Sequence, residues 1–155
     1  MNLLILNGPN LNMLGKREVS VYGSQTLDEL MGEVRDYAQK RGATVEVFTS
    51  NFEGELIEQI HGAPSKYDGI VFNPAAYTHY SYALRDAVVC IDIPVVEVHL
   101  SDISSREEFR QTSVIADVCT AQFSGGGVKS YLQAVDTLTS LSAETQDEKA
   151  SGKTE

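Results

Sequence analysis

The chain reads as an α/β protein, a three-layer sandwich with a parallel sheet between two layers of helices, and three features point to that class. Short runs nearly continuous in apolar residues, such as Leu3-Leu4-Ile5-Leu6, suit strands buried on both faces. Segments with apolar residues at helical spacing alternate with those runs along the whole chain. The 155 residues, 42% apolar and 22% charged, are enough for one well-buried domain and too few for two of ordinary size.

The first strand is Leu3 to Leu6, and a long polar loop follows it. Thr26-Leu27-Asp28-Glu29 has capping-box form, and Leu27, Leu30, Met31, Val34, Tyr37 and Ala38 then recur at helical spacing until Gly42 supplies a stop. Thr44 to Thr49 reads as the second strand, Glu55 to His61 as a short helix with Leu56, Ile57 and Ile60 on one side, and Gly69 to Asn73 as the third strand. A helix fits Ser81 to Val89, and a strand fits Pro94 to His99. Ser105-Arg-Glu-Glu108 is a second capping-box pattern and predicts another short helix. A strand near Val118 to Phe123, the run Gly125-Gly-Gly127 and a helix carrying Val128, Tyr131, Leu132, Val135 and Leu138 complete five β-α units. Right-handed crossovers then give a flavodoxin-like five-stranded sheet of order 2-1-3-4-5 with helices on both faces. The reading is a single domain over 1–142. Residues 143–155 are polar and aperiodic and are expected to form a disordered tail.

Composition narrows the function. A formal charge of -10 with 12 Lys and Arg argues against a nucleic-acid partner, which needs a basic face. No apolar run approaches the roughly 20 residues a bilayer requires, and the start lacks a secretory signal pattern, so a cytoplasmic protein is expected. Cys90 and Cys119 lie singly in apolar runs with no C-x-x-C, and the reading is two small buried hydrophobes without chemistry.

In open parallel sheets ligands bind beyond the carboxyl ends of the strands where strand order reverses, here between the first and third strands. Asn7 to Gly23 and Asn73 to Ser81 follow those ends, with Glu97, His99 and Ser101 closing the fourth strand nearby. The 7–23 stretch reads as a catalytic lid whose amides, guanidinium and phenol suit proton chemistry on a small polar molecule. A phosphoacceptor site would need acids where the chain has Asn7 and Asn73, and a flavin phosphate site needs more hydroxyl donors than Gly-Pro-Asn-Leu-Asn offers. No G-x-S-x-G elbow is present for a serine hydrolase. Glu97 and His99, two apart on one strand, share a face, and His79 can approach from the neighbouring loop. That set could hold zinc or iron for a metal-dependent hydrolase or lyase. The same geometry also suits a carboxylate fixing an imidazole for proton transfer, and this is the preferred reading because a metal leaves Arg17 and Tyr22 without a role. A non-catalytic small-ligand binding module is the third alternative. His61 lies in a helix away from this cluster and is given no role.

The motifs Asn7-Gly-Pro-Asn-Leu-Asn with Arg17 and Tyr22-Gly23, Ser50-Asn51 with Glu53-Gly-Glu-Leu-Ile57, Asn73-Pro-Ala-Ala-Tyr-Thr-His79 with Ala83-Leu-Arg-Asp86, and Glu97-Val-His-Leu-Ser101 with Arg106-Glu-Glu-Phe-Arg110 occur in unbroken order. Together they closely resemble type II 3-dehydroquinate dehydratase from about residue 2 to residue 138. The resemblance implies removal of water from 3-dehydroquinate to give 3-dehydroshikimate, without a cofactor or a metal, by trans elimination through an enolate-like intermediate. It implies Tyr22 as general base, Arg17 as the cation favouring its phenolate, Asn10 as a residue holding a water against the enolate oxygen, His99 as general acid and Glu97 as its orienting partner. It further implies that Asn73, His79, Leu100, Ser101 and Arg110 bind ring hydroxyls and carboxylate, with Arg106 assisting. Asp86 would reach a neighbouring subunit's site in a trimer, four of which build a dodecamer. The same reaction serves aromatic amino acid biosynthesis through the shikimate pathway and the breakdown of quinate. Phe52, Ser104, Gln111, Thr112 and the 119–127 stretch depart from the family's usual residues, and none is a proposed acid or base.

Overall fold

Leu3 and Ile5 face one side of the first strand and Leu4 and Leu6 the other, and this alternation sets the layers. The computed structural model describes residues 1–16 and 19–152, with side chains for all of these except Val21 and Tyr22. Five strands, β1 (Asn2–Asn7), β2 (Thr44–Thr49), β3 (Gly69–Asn73), β4 (Val95–Val98) and β5 (Ala121–Phe123), pair in parallel in the order 2-1-3-4-5. The helices are α1 (Val19–Tyr22), α2 (Leu27–Gln39), α3 (Glu53–Gly62), α4 (Tyr82–Val89) and α5 (Val128–Ser151). The sheet order and fold class are those the sequence predicts.

One core joins Leu3, Ile5, Val71, Val96 and Val98 to Leu30, Met31 and Val34 of α2 and Tyr131, Val135 and Leu138 of α5. The other joins Leu4, Leu6, Ile70, Phe72 and Val95 to Leu56 and Ile60 of α3 and Leu84 and Val88 of α4. Burying both faces of β1, β3 and β4 explains why their sequences are apolar almost without interruption. α5 passes close to Gly69, and a Cβ there would lie 2.9 Å from Leu138 Cδ2, so that side chain would have to shift. The capping box at the start of α2 forms as the sequence predicts: the Glu29 amide donates to Thr26 Oγ1 (3.2 Å) and the Thr26 amide to Glu29 Oε2 (3.0 Å). Ser81 caps α4 by accepting from the Leu84 amide at 3.0 Å.

Three expectations are corrected. The pattern Ser105 to Glu108 opens no α-helix; the β4-to-β5 crossover is built from 3-10 turns at Ile103–Ser105, Glu108–Arg110 and Ala116–Val118. Asp102, not Ser105, takes the capping position, its Oδ1 accepting from the Ser104 amide at 2.9 Å, and Arg106 is extended. Residues beyond Ala143 continue α5 to Ser151 where a disordered tail was expected. Their side chains are exposed, and Ala, Glu, Gln and Lys sustain a helix by propensity alone. Cys90, the C-cap residue just past α4, is exposed rather than buried. Cys119 is half-buried, and burial pushes its thiol up to about 12, so it stays protonated.

Candidate active site

The ends of β1 and β3 carry Asn7 and Asn73 side by side in register, and both amides are buried. A buried amide needs partners. Tyr131 on α5, fully buried, supplies one phenol to both: Asn73 Nδ2 donates to its oxygen at 2.9 Å, and its hydroxyl donates to Asn7 Oδ1 at 2.7 Å. Burial pushes this phenol's pKa up, which keeps its proton available for donation. Asn73 Oδ1 accepts from the Ala75 amide at 3.1 Å and holds Ala75 in a left-handed conformation, φ 52°. Gly8 permits the two exit loops to touch. Its amide donates to the Asn73 carbonyl at 2.8 Å, and a Cβ at this position would lie 2.6 Å from the Pro74 carbonyl oxygen.

Above this crossing lies an open cavity of about 280 Å³. Asn10, Asn73, His79, His99, Leu100, Ser101, Arg106 and Arg110 line it, with Pro9, Leu11, Leu14, Ala75, Ala76 and Ile103. Eight residues singled out from sequence therefore share one cavity at the switch point.

His99 and Glu97 form its chemical centre. Glu97 is completely buried, and its Oε1 lies 2.6 Å from His99 Nε2. The hydroxyls of Thr78 and Ser113 also donate to the carboxylate, Ser113 at 3.0 Å to each oxygen. Burial alone would raise the Glu97 pKa. The hydrogen bond and charge of His99, together with the two hydroxyls, outweigh it and hold the group below its ordinary value. An ionised carboxylate accepts from Nε2–H, so Nδ1 is the ring nitrogen left for exchange with a ligand. His79 is oriented differently, its Nδ1–H donating to the Thr112 carbonyl at 2.8 Å and its ring meeting Phe109 edge-on at 6.4 Å. Among the described residues, no three His, Cys, Asp or Glu side chains converge in a way that could hold a metal ion.

The remaining rim is polar. Arg106 Nη1 donates to Ser101 Oγ at 3.3 Å. Arg110 lines the cavity, and its buried Nε lies 3.2 Å from Glu107 Oε2 without hydrogen-bond geometry. The Asn10 amide donates to Asn51 Oδ1 at 2.9 Å, and Tyr77 donates to the Asn51 carbonyl at the same distance, which ties the loop after β1 to the end of β2. Asp86 does not line the cavity and is exposed on α4. Arg17 lies outside the described residues. Tyr22 ends α1, and its side chain lies outside what the structure describes.

The family model described as Dehydroquinase class II matches residues 1–139. The chain belongs to this family. Among curated relatives, a 3-dehydroquinate dehydratase of Thermotoga neapolitana is 51% identical over 145 residues, covering 94% of this chain and 99% of that protein. One of Bacillus pumilus is 52% identical over 139 residues, covering 90% and 95%. The crystal structure of a type II dehydroquinase from Butyrivibrio crossotus superposes with a TM-score of 0.87 at 46% identity, covering 89% of this chain and 97% of that one.

Three residues of this dehydroquinase-family site are invisible to sequence reading. Thr78 and Ser113 hold Glu97, and Tyr131 bridges the two asparagines. Thr78 stands within the motif Asn73 to His79 but carries no signal separating it from a turn threonine. Tyr131 reads as one more apolar position of its helix. Ser113 has no local signature at all.

Proposed function

We propose that this chain dehydrates 3-dehydroquinate to 3-dehydroshikimate. The observation that carries the reading is the buried Glu97–His99 pair opening onto a cavity at the sheet's switch point, in a chain of the class II dehydroquinase family.

The reaction removes a proton beside the ketone and a hydroxyl from the ring, by trans elimination. Tyr22 takes the proton as its phenolate. A free tyrosine titrates near roughly 10, so a cation must favour the ionised form, and Arg17, which stays protonated, is the side chain assigned to it. Negative charge that develops on the ketone oxygen is met by a water held by Asn10, a stabilisation that grows toward the transition state. His99, doubly protonated with its Nε2–H held by Glu97, gives the proton on Nδ1 to the departing hydroxyl, which leaves as water, and the ring is left neutral. The substrate's carboxylate meets the Arg110 guanidinium, with Arg106 and Ser101 beside it, while Asn73, His79 and the Leu100 backbone face the ring.

Assembly belongs to the same reading. Tyr82, Asp86 and Val89 follow one another at helical spacing on the exposed side of α4, with the two apolar side chains 66% and 63% exposed. A second copy covering that stripe brings Asp86 toward a neighbouring site, as expected for trimers that assemble into a dodecamer. Sedimentation of the purified chain measures this directly.

The test of activity is the ultraviolet absorbance of the conjugated enone product when the chain meets 3-dehydroquinate, with and without chelator. Turnover in both fits the assignment, and turnover abolished by chelator returns the site to the metal reading with His79, Glu97 and His99. Tyr22→Phe keeps the ring and removes the base, so near-full activity in that variant sinks the assigned mechanism.

A further inference from the structure

Residues 112, 113 and 114 each grip a different part of the site from one short segment. The Thr112 carbonyl accepts from His79 Nδ1, Ser113 Oγ donates to Glu97, and the Val114 amide donates to the Thr78 carbonyl at 2.8 Å. Ser113 is the member whose proton inventory is fixed. Its oxygen accepts from the amides of Ile115 (3.2 Å) and Ala116 (3.0 Å), which occupies both lone pairs. Its single proton is left for Glu97, 3.0 Å from either oxygen, or for Thr78 Oγ1 at 2.8 Å, whose own hydroxyl donates to the same carboxylate. Thr78 Oγ1 sits 2.8 Å from Ser113 Oγ, finds no lone pair there, and must also donate to Glu97. With Nε2 of His99 as the third donor, three donors converge on the carboxylate, which favours its ionised, acceptor-only form. A protonated Glu97 would bring a fourth proton into the group and give up one of the acceptor sites these donors face. The other titratable side chain close to Glu97 is Cys119, whose thiol stays protonated and brings no charge.

We propose that Ser113 is a positioning residue which, acting through Glu97, fixes the His99 ring with its proton on Nε2 and so presents Nδ1 as the atom that exchanges protons with substrate. The inference deepens the dehydratase reading and rests on it for the word substrate. The tautomer it assigns does not depend on any ligand.

The test is nitrogen NMR of the histidine rings in the full, unliganded chain, followed by kinetics. The chain has three histidines, and His61→Gln and His79→Gln assign two of the three ring signals by their loss. In the parent, His99 should keep Nε2 protonated at every pH above the point where Glu97 gains its proton, with Nδ1 alone titrating. Ser113→Ala should mix the two neutral tautomers and lower kcat roughly tenfold, the loss of one hydrogen bond to a charged group, with KM within about twofold. Ser113→Thr returns the hydroxyl and should recover both the ring signal and most of kcat. A parent His99 protonated on Nδ1 overturns the proposal, even if Ser113→Ala does not fold. So does a Ser113→Ala chain that loses kcat while its ring spectrum and titration match the parent, because the serine would then be supporting only the backbone of the turn. A parent chain that fails to turn over 3-dehydroquinate counts against the assigned activity alone, since the ring spectra are read without substrate.

Discussion

Tyr131→Phe deletes one oxygen and nothing else, and that oxygen is the shared partner of Asn73 Nδ2 and Asn7 Oδ1. Both asparagines are almost completely buried, at 2% and 0% exposure, so water cannot replace the lost bonds. An unsatisfied buried polar group costs about 1–3 kcal/mol, and two of them set the expected loss at about 2–5 kcal/mol. The remaining contacts do not soften it: among the described residues Asn7 Nδ2 has only the Met31 sulfur at 3.5 Å, a weak acceptor, and Asn73 Oδ1 is already committed to the Ala75 amide. Urea unfolding at fixed protomer concentration measures the difference without mixing in any effect of assembly. In a chain of this size each kcal/mol moves the melting temperature by about 2–4 °C, so thermal scans should fall by at least about 4 °C. Because the network sets the exits of β1 and β3, turnover should drop as well, through displacement of the Asn10 and Asn73 segments. A Tyr131→Phe chain within about 0.5 kcal/mol of the parent would refute the reasoning, since surface-like tolerance is incompatible with two orphaned amides.

Gly8→Ala forces its Cβ to within 2.6 Å of the Pro74 carbonyl oxygen, backbone against backbone, and should cost about 1–3 kcal/mol on thermal unfolding together with a loss of turnover. The folded Glu97 carboxyl sits below its ordinary value of 4.5, so its ionised form contributes stability that is fully present above that value and is lost as pH falls through the folded one. The stability gap between the parent and Glu97→Gln, measured by urea unfolding, should therefore narrow as pH is lowered from about 6 to about 3. Arg41→Ala removes an ion pair with Asp136 whose side chains are 35% and 47% exposed, and should cost no more than about 1 kcal/mol by the same assay. Truncating the chain after Ser142 removes side chains that are exposed over residues 143–152 and should leave the melting temperature within about 2 °C of the parent.

What the sequence made legible depended on separation along the chain. Glu97 and His99 are two apart on a strand, and the strand period of two is enough to place them on one face. The strand-end rule located Asn10, Asn73 and His79 at one end of the sheet for an equally simple reason. Tyr131 reaches Asn7 across 124 residues, and no local pattern distinguishes a tyrosine that packs from one that packs and donates. Ser113 failed to register because a turn serine that caps two amides and a serine that also holds a carboxylate have the same sequence. The capping-box reading at Ser105 failed on competition: Asp102 reached the amide of Ser104 first, and a 3-10 turn satisfied what a helix would have. The helical end of α5 was missed because the 143–151 stretch has no apolar period, and periodicity detects only helices that bury a face.

The two faces of the sheet and its carboxyl end make opposite demands on the same strands. Between their first and last residues, the side chains of β1 and β3 are all apolar, and the two cores bury them without any polar group to satisfy. The last residues, Asn7 and Asn73, and Glu97 within β4, are the points where buried polarity is tolerated, and each is matched by a donor or acceptor from a distant element. A buried carboxylate is costly when its partners are incomplete and far less so when three donors converge on it. The same convergence of donors that offsets the cost also favours the ionised form of Glu97, and that preference passes to His99 as a fixed tautomer. In this site the requirement that buried polar groups be satisfied and the requirement that an acid hold its proton at a defined atom are met by the same three hydrogen bonds.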